Sequence, residues 1–383
     1  MKRLISLFLT LAMAGSMLLL PACSGGSDEK DTTPPANTAA PAETNDAAAG
    51  EAGRYTGPSM TLTMGSNFGS STYSYEYMEA FCDYIEEQTD GKVTFQRHQD
   101  STLFTSNECL SYVSTGAVDV IPLGHLGFAT ELPLLNFLAM VYVTDPNVDG
   151  SQYIIDYYNY MLFENEETSA LLKAEAERNN IVYLSTNAGG PNVMLADVPF
   201  NSLADLAGTK FGMVGNEEIW ESFGLSIISI NGPDMYDGFS RGIIDSSERA
   251  ISPLLNNRWY EVAKYIRYDG SYAAGNFITV NLDRWNTFDD SLKTIFQEAA
   301  DMAAELGIQL DRDYCTQADQ ILTDNGCDVG TMPAEDIQAM ADAMFEGSVK
   351  NCRFRAEQQG LTEEMETMIA EGAAYLGQEV PEI

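Results

Sequence analysis

The chain has 383 residues, 45% of them hydrophobic, and its 57 acidic side chains outnumber 20 basic ones for a formal charge of -37. That length suits two lobes with a real core, and a surface of that sign repels nucleic acid and anionic bilayers, which excludes both as partners. The six cysteines include no Cys-x-x-Cys pair and there are two histidines, so no metal or cofactor site is expected.

Residues 1–22 read as a signal peptide: Lys2 and Arg3 precede an apolar run from Leu4 to Leu20. The run closes on Pro21-Ala22-Cys23-Ser24, which resembles a lipoprotein box and implies cleavage before Cys23 and lipid on its thiol. Residues 23–57 hold mostly Ser, Gly, Asp, Thr, Pro, Ala and Glu, too little apolar surface to offset the entropy of ordering. The expectation is a leash that holds a folded domain to a cell membrane by lipid alone, facing the periplasm or cell exterior. No later stretch is apolar enough to span a bilayer.

A first lobe is expected over 58–186. Met60 to Met64 alternates as a strand, Tyr77, Phe81, Tyr84 and Ile85 recur at helical spacing through Tyr73 to Thr89, and Asp90-Gly91 ends that helix before a strand from Lys92 to Gln96. A helix from Asn107 to Ser114 and a buried strand through Ile121 follow. His125 lies just beyond, where a structural histidine and a cleft-lining one are both admissible. Ser151 to Arg178 is helical, and its tyrosines 153, 157, 158 and 160 read as packing. Cys82 and Cys109 fall on apolar helix faces as buried thiols, while pairing of Cys327 with Cys315 or Cys352 stays open.

Ile181 to Ser185 reads as a strand, and Asn187-Ala-Gly-Gly-Pro-Asn192 behind it as a hinge into a second lobe, 187–275. Ser202 caps a short helix, and strands and helices then alternate to Glu248 in the pattern of a small parallel sheet. Such sheets bind ligands at the carboxyl ends of their strands, here Gly212, Asn231 and Ser246 to Glu248. Gly116-Ala-Val-Asp119 and Gly242-Ile-Ile-Asp245 mark equivalent corners of two lobes around a cleft. Residues 276–383 return to the first lobe through a strand at Val280 to Asp283. They continue as a helix from Asp289 to about Thr323, roughly 50 Å long, and as two further helices packed on the outside.

Asp205-Leu-Ala-Gly208-Thr-Lys210-Phe, then Asp234-x-Tyr236-x-x-Phe239-x-x-Gly242-Ile-Ile-Asp245-x-x-Glu248, resemble the signature of the solute-binding proteins of TRAP (tripartite ATP-independent periplasmic) transporters. Asp90-Gly91-Lys92-Val93 and Gly116-Ala-Val-Asp119 extend the likeness, which runs from about Met60 to Met344. It implies a two-lobed α/β fold of the type II periplasmic-binding-protein kind with a long lobe-spanning helix. It further implies closure on a small solute and delivery to integral-membrane permease subunits. In most of that family an arginine two positions after the motif lysine grips the ligand's carboxylate, a second lies near the hinge, and an asparagine follows the glutamate. Here those places hold Gly212, the segment Gly190 to Asn192, and Arg249, so the usual organic acid does not carry over.

The cleft candidates are therefore Asn67, Phe68, His125, Asn192, Gly212, Met213, Tyr236, Glu248, Arg249 and Trp259, with Tyr260 beside the last. Aromatic faces with a carboxylate suit a neutral or cationic, partly apolar solute at least as well as an acid, although Arg249 or Arg258 offers an anion a different approach. Catalysis is not expected: there is no Gly-x-Ser-x-Gly, no His-Glu-x-x-His, and a pair such as Asp245 and Glu248 is ordinary among 57 acids. A solute-binding lipoprotein of an ABC importer or of a sensory system is the other reading that this architecture allows.

Overall fold

The computed structural model describes residues 54–68, 73–139, 141–145, 147–187, 189–273 and 275–382; the signal peptide, Cys23 and all of the leash up to residue 53 lie outside them. In chain order the strands and helices begin β1 Met60–Gly65, α1 Tyr73–Gln88, β2 Val93–His98, α2 Cys109–Ser114, β3 Val120–Gly124, α3 Pro133–Asn136 and β4 Val141–Tyr142. Next come α4 Gly150–Asn159, α5 Glu166–Arg178, β5 Ile181–Thr186, β6 Pro191–Ala196, β7 Lys210–Met213, α6 Glu217–Ser222, β8 Ser226–Ser229, α7 Met235–Ser240 and β9 Ser246–Ala250. The chain ends with α8 Ile251–Asn256, β10 Tyr265–Tyr272, β11 Asn276–Asn281, α9 Leu282–Asn286, α10 Asp290–Asp324, β12 Asp328–Thr331, α11 Ala334–Gln359 and α12 Thr362–Leu376.

Hydrophobic period decides the first unit. Tyr77, Phe81 and Ile85 stand one turn apart on α1 and are fully buried, against Leu62 and Met64 of β1 and Phe296 of α10. Asp90 and Gly91 take positive φ, and α1 stops there. The chain returns as β2, parallel to β1 from Met60↔Val93 to Gly65↔His98. The first sheet runs β2-β1-β3-β11-β5 and the second β12-β10-β6-β9-β7-β8, with β4 paired to β10.

The corner motifs make the same bonds in both lobes. Asp119 accepts from the Thr63 amide at 2.8 Å and Asp245 from the Lys210 amide at 2.9 Å. The amide of each Asp in turn donates to the carbonyl of the same residue, at 2.9 and 2.8 Å. Each aspartate thus pins a strand to its parallel neighbour.

One strand starts inside the segment expected as hinge, and another was not anticipated. β6 starts on Pro191, a place where a strand tolerates the missing N–H, and all six of its residues are buried. β10 absorbs Asp269-Gly270-Ser271 as an irregularity between Tyr268 and Tyr272, with Gly270 at φ 78°. The returning strand is Asn276–Asn281 rather than Val280 to Asp283. β4, within 58–186, and β12, within 276–383, both add to the second sheet.

Two helices tie the lobes together. The 35-residue α10 buries Leu292 to Ala303 in the first core and Ala318 and Leu322 in the second. α11 is not an outer helix, because its Met340 and Met344 enter the second core while Val349 and Ala356 enter the first. Tyr157 and Tyr158 are packing residues. Cys82, Cys109, Cys315, Cys327 and Cys352 are free thiols, and Cys82, Cys109 and Cys352 are buried. Among the described residues no helix is long and apolar enough to cross a membrane.

Candidate functional site

Topology gathers the strand ends at one place. The chain crosses between the sheets after β5, on its way to β6, and again after β10, on its way to β11. β11 begins at that side and runs antiparallel to β3 and β5, so β3, β5 and the parallel β1 all end there. In the second sheet β6 starts there and β9 runs antiparallel to it, so β9 and its parallel neighbours β7 and β8 end there as well. Two sets of carboxyl ends thus flank the crossover, the usual ligand position in open α/β sheets. Gly275 belongs to this joint, since a Cβ on it would meet the Asn187 carbonyl at 1.8 Å.

Arg249 stands at the end of β9. It pairs across the strand with Val193, so its side chain leaves the face that carries Val193, Ile230, Met235 and Ile244. Its Nη1 donates to the Glu248 carbonyl at 2.7 Å and lies 3.0 Å from Met213 Sδ. Nη2 reaches the Ile230 carbonyl at 3.4 Å and Met235 Sδ at 3.8 Å. Among the described residues no carboxylate forms an ion pair with it, whereas Arg97, Arg267, Arg284 and Arg353 each have one. Burial lowers its pKa, with Glu248 as partial compensation. Carbonyls and thioethers are poor substitutes for an anion, so the fork keeps donor capacity for one.

Gly212 lies beside it on β7, paired with Ser247 and on the face of Arg249. A Cβ there would meet Ile244 Cδ1 at 2.8 Å and Ile230 Cγ2 at 2.9 Å. The neighbouring isoleucines fill the start of any side chain at this position. The guanidinium at the ends of β7 and β8 comes instead from the adjoining strand.

Glu248, one residue earlier, leaves the opposite face with Met194. It belongs to a polar cluster with Asn192, Ser271, Tyr142 and Asp269. Asn192 Nδ2 donates to Ser271 Oγ at 2.9 Å, and the Ser271 amide and hydroxyl donate to Asp269 Oδ1 at 2.8 and 2.7 Å. Asp269 Oδ2 is buried without a hydrogen-bond partner. Burial first, and Asp269 second, push the Glu248 carboxyl up, and burial pushes Asp269 up against the bonds from Ser271. Asp269 and Tyr142 were invisible in the sequence because one sits in a turn-like Asp-Gly-Ser and the other in a two-residue strand.

The other candidates separate. Asn67 and Phe68 follow β1 on the first lobe, where Asn67 Nδ2 donates to Ser106 Oγ at 3.1 Å and Phe68 is half-buried. His125 is fully buried, edge-on to Phe277 with centroids 5.1 Å apart. Burial pushes it down to about 4, and the Gly275 backbone offsets this only partly without a well-aligned bond, so the ring is neutral. Tyr236 is exposed and donates to Glu261 at 3.0 Å. Trp259 and Tyr260 do not reach the cleft: they sit in the second core with Ala318 and Leu322, 2% and 8% exposed. Arg258 is exposed and paired with Glu261. Among the described residues no group of three metal-ligating side chains is assembled.

The model of the bacterial extracellular solute-binding proteins, family 7 (DctP), matches residues 64–350. The chain belongs to this family. Among its relatives is the 2,3-diketo-L-gulonate-binding periplasmic protein YiaO of Escherichia coli, 22% identical over 69% of this chain and 78% of that one. A TRAP periplasmic solute-binding protein from Ochrobactrum anthropi, with its C-terminus bound in the ligand pocket, has the same fold. It superposes with a TM-score of 0.68 at 16% identity, over 83% of this chain and 98% of that one. A second, from Desulfovibrio salexigens with bound orotic acid, gives 0.66 at 18% identity over 82% and 99%. The two-lobed α/β architecture of the TRAP solute-binding proteins is thus the fold of this family 7 member, and its role is that of a solute-binding receptor.

Proposed function

We propose that the chain is the receptor of a TRAP-type secondary transporter and binds a small organic acid whose carboxylate is gripped by Arg249. The observation that carries this reading is the guanidinium without a carboxylate partner at the ends of β7, β8 and β9. In a chain with 57 acidic residues, a half-buried arginine left unpaired at strand ends is a place kept for an anion from outside. This favours an acid over the neutral or cationic solute that the aromatic candidates suggest, since Trp259 and Tyr260 belong to the core.

The receptor closes its lobes about the crossovers from β5 to β6 and from β10 to β11, with ligand selecting the closed state, and releases the solute unchanged to permease subunits. Cys23 carries lipid, and the segment between it and the folded body, which begins where Tyr55 packs into the first core, holds the receptor at the outer face of the membrane. That the diketogulonate- and orotate-binding relatives bind acids is in keeping with the assignment.

The test is calorimetric titration of a panel of small carboxylates, each beside its uncharged amide, against wild type and Arg249→Gln. Binding of at least one acid but not its amide, weakened roughly 10- to 100-fold by the substitution, is the expected result for charge-assisted bonds. Equal binding of acid and amide, or full affinity in Arg249→Gln, would refute the assignment.

A further inference from the structure

The strand ends that flank the crossover differ in charge between the lobes. On the first lobe, residues 66–68 beyond β1, 125–130 beyond β3, and 187, 189 and 190 beyond β5 include no Lys, Arg, Asp or Glu, in a chain of which 20% is charged. His125 belongs to that set and is neutral, since burial pushes its pKa down to about 4. Arg355 of α11 turns to the buried Asn136, whose Oδ1 accepts from its Nη1 at 3.1 Å. On the second lobe, among the described residues, Arg249 is the one cation at the ends of β7, β8 and β9. The other charged groups there are acids: Glu248 beside it, and Glu217 and Asp234 as the first charged residues beyond β7 and β8.

Two large apolar side chains stand free at these same ends, one on each lobe. Leu126 opens the short turn Leu126–Phe128 just past β3 and is 58% exposed. Val214 follows Met213, whose sulfur lies 3.0 Å from Arg249, and is 55% exposed. Among the described residues only Phe354 is a more exposed large hydrophobic side chain. Sites that enclose a small molecule are mostly apolar with a few placed polar groups, and an apolar residue on each lobe with a single guanidinium is such a set.

We propose that the site selects acids with one carboxylate and an uncharged, largely apolar body, which Leu126 and Val214 clasp from the two lobes as these close. The proposal rests on Arg249 gripping the carboxylate. A second carboxylate would leave water with no cation on the first lobe to receive it and with acids around it on the second. A polyhydroxylated body would exchange its bonds to water for contact with leucine and valine.

The test titrates three acids of equal carbon number by calorimetry, 4-methylpentanoate, hexanedioate and gluconate, with 4-methylpentanamide as the uncharged control. The branched monocarboxylate should bind more tightly than either of the other acids by roughly tenfold or more. Leu126→Ser and Val214→Ser should each weaken it roughly three- to tenfold without changing the melting temperature of the ligand-free protein, because both side chains are exposed. Leu126→Lys should raise the affinity for hexanedioate above that of the wild type. Hexanedioate or gluconate binding as tightly as 4-methylpentanoate, full affinity in both serine variants, or no gain in Leu126→Lys would overturn the proposal. If affinity is nevertheless lost in Arg249→Gln, the grip of Arg249 stands without it. Failure of all three acids, or equal binding of the amide, would remove that grip and this proposal together.

Discussion

An arginine half-buried beside methionines and without a carboxylate costs the empty receptor free energy, because its lost hydration is repaid only by carbonyls and sulfur. Arg249→Met should therefore leave the ligand-free protein as stable as wild type or more so, by about 1–2 kcal/mol, while abolishing ligand-induced stabilisation. Thermal melts with and without a bound acid check both halves; a drop of several degrees in the free protein would show that Arg249 is structural. Gly212→Ala should destabilise by about 1–3 kcal/mol, since the added methyl meets two isoleucines, and urea titration measures it. At this scale the sequence exposes identity but not environment. Gly212 and Arg249 stand out on the page as departures from a motif. That Trp259 faces the core, and that Arg249 lacks an ion pair, depends on residues far along the chain such as Ile230, 19 positions from Arg249, and Leu322 in the core around Trp259.

Among the elements, the two lobe-spanning helices restrict hinge motion most. Gly307 of α10 passes the hinge with its would-be Cβ 3.1 Å from Asn187 Cβ. Gly→Ala inside a helix ordinarily gains about 0.5–1 kcal/mol. Gly307→Ala should forfeit that gain, because the methyl must displace a hinge residue, and a urea titration giving the full gain would contradict the close packing. Elements with an uninterrupted period were legible: α1, β5 and α10 fall within a residue or two of expectation. β10 was not: Asp269-Gly270-Ser271 interrupts its alternation, and the sheet holds that irregularity through the bonds from Ser271 to Asp269. Nor was the role of α11, whose buried face switches from one core to the other along 26 residues.

For the molecule as a whole, buried carboxyls set an uncommon response to pH. Burial pushes Glu175 up to about 7, although the Leu134 and Leu135 amides donate to it, and Asp311 up to about 6. Both folded values lie above the unfolded ones, so their contribution to stability is complete below about pH 4 and is lost as pH rises to 6 or 7. Asp205 and Asp289, held low by backbone amides, work in the opposite sense and lose their contribution as pH falls below 4. The melting temperature should therefore peak near pH 5 and decline toward pH 8, and Glu175→Gln should flatten the decline. Calorimetry at fixed ionic strength checks it, and a melting temperature that climbs steadily to pH 8 would count against these buried acids. The two-lobed plan was the most legible feature of all, because Asp119 and Asp245 recur in one motif and make one set of bonds.

The most direct test of the receptor assignment is the structure of the protein with an acid that binds in the calorimetric panel. The ligand carboxylate is expected to lie about 2.8 Å from two nitrogens of Arg249, between the ends of β7 and β9 and the first-lobe loop at Asn67. A ligand seated in the cleft whose carboxylate is held by other groups, with Arg249 still on the carbonyls of Glu248 and Ile230, would contradict it.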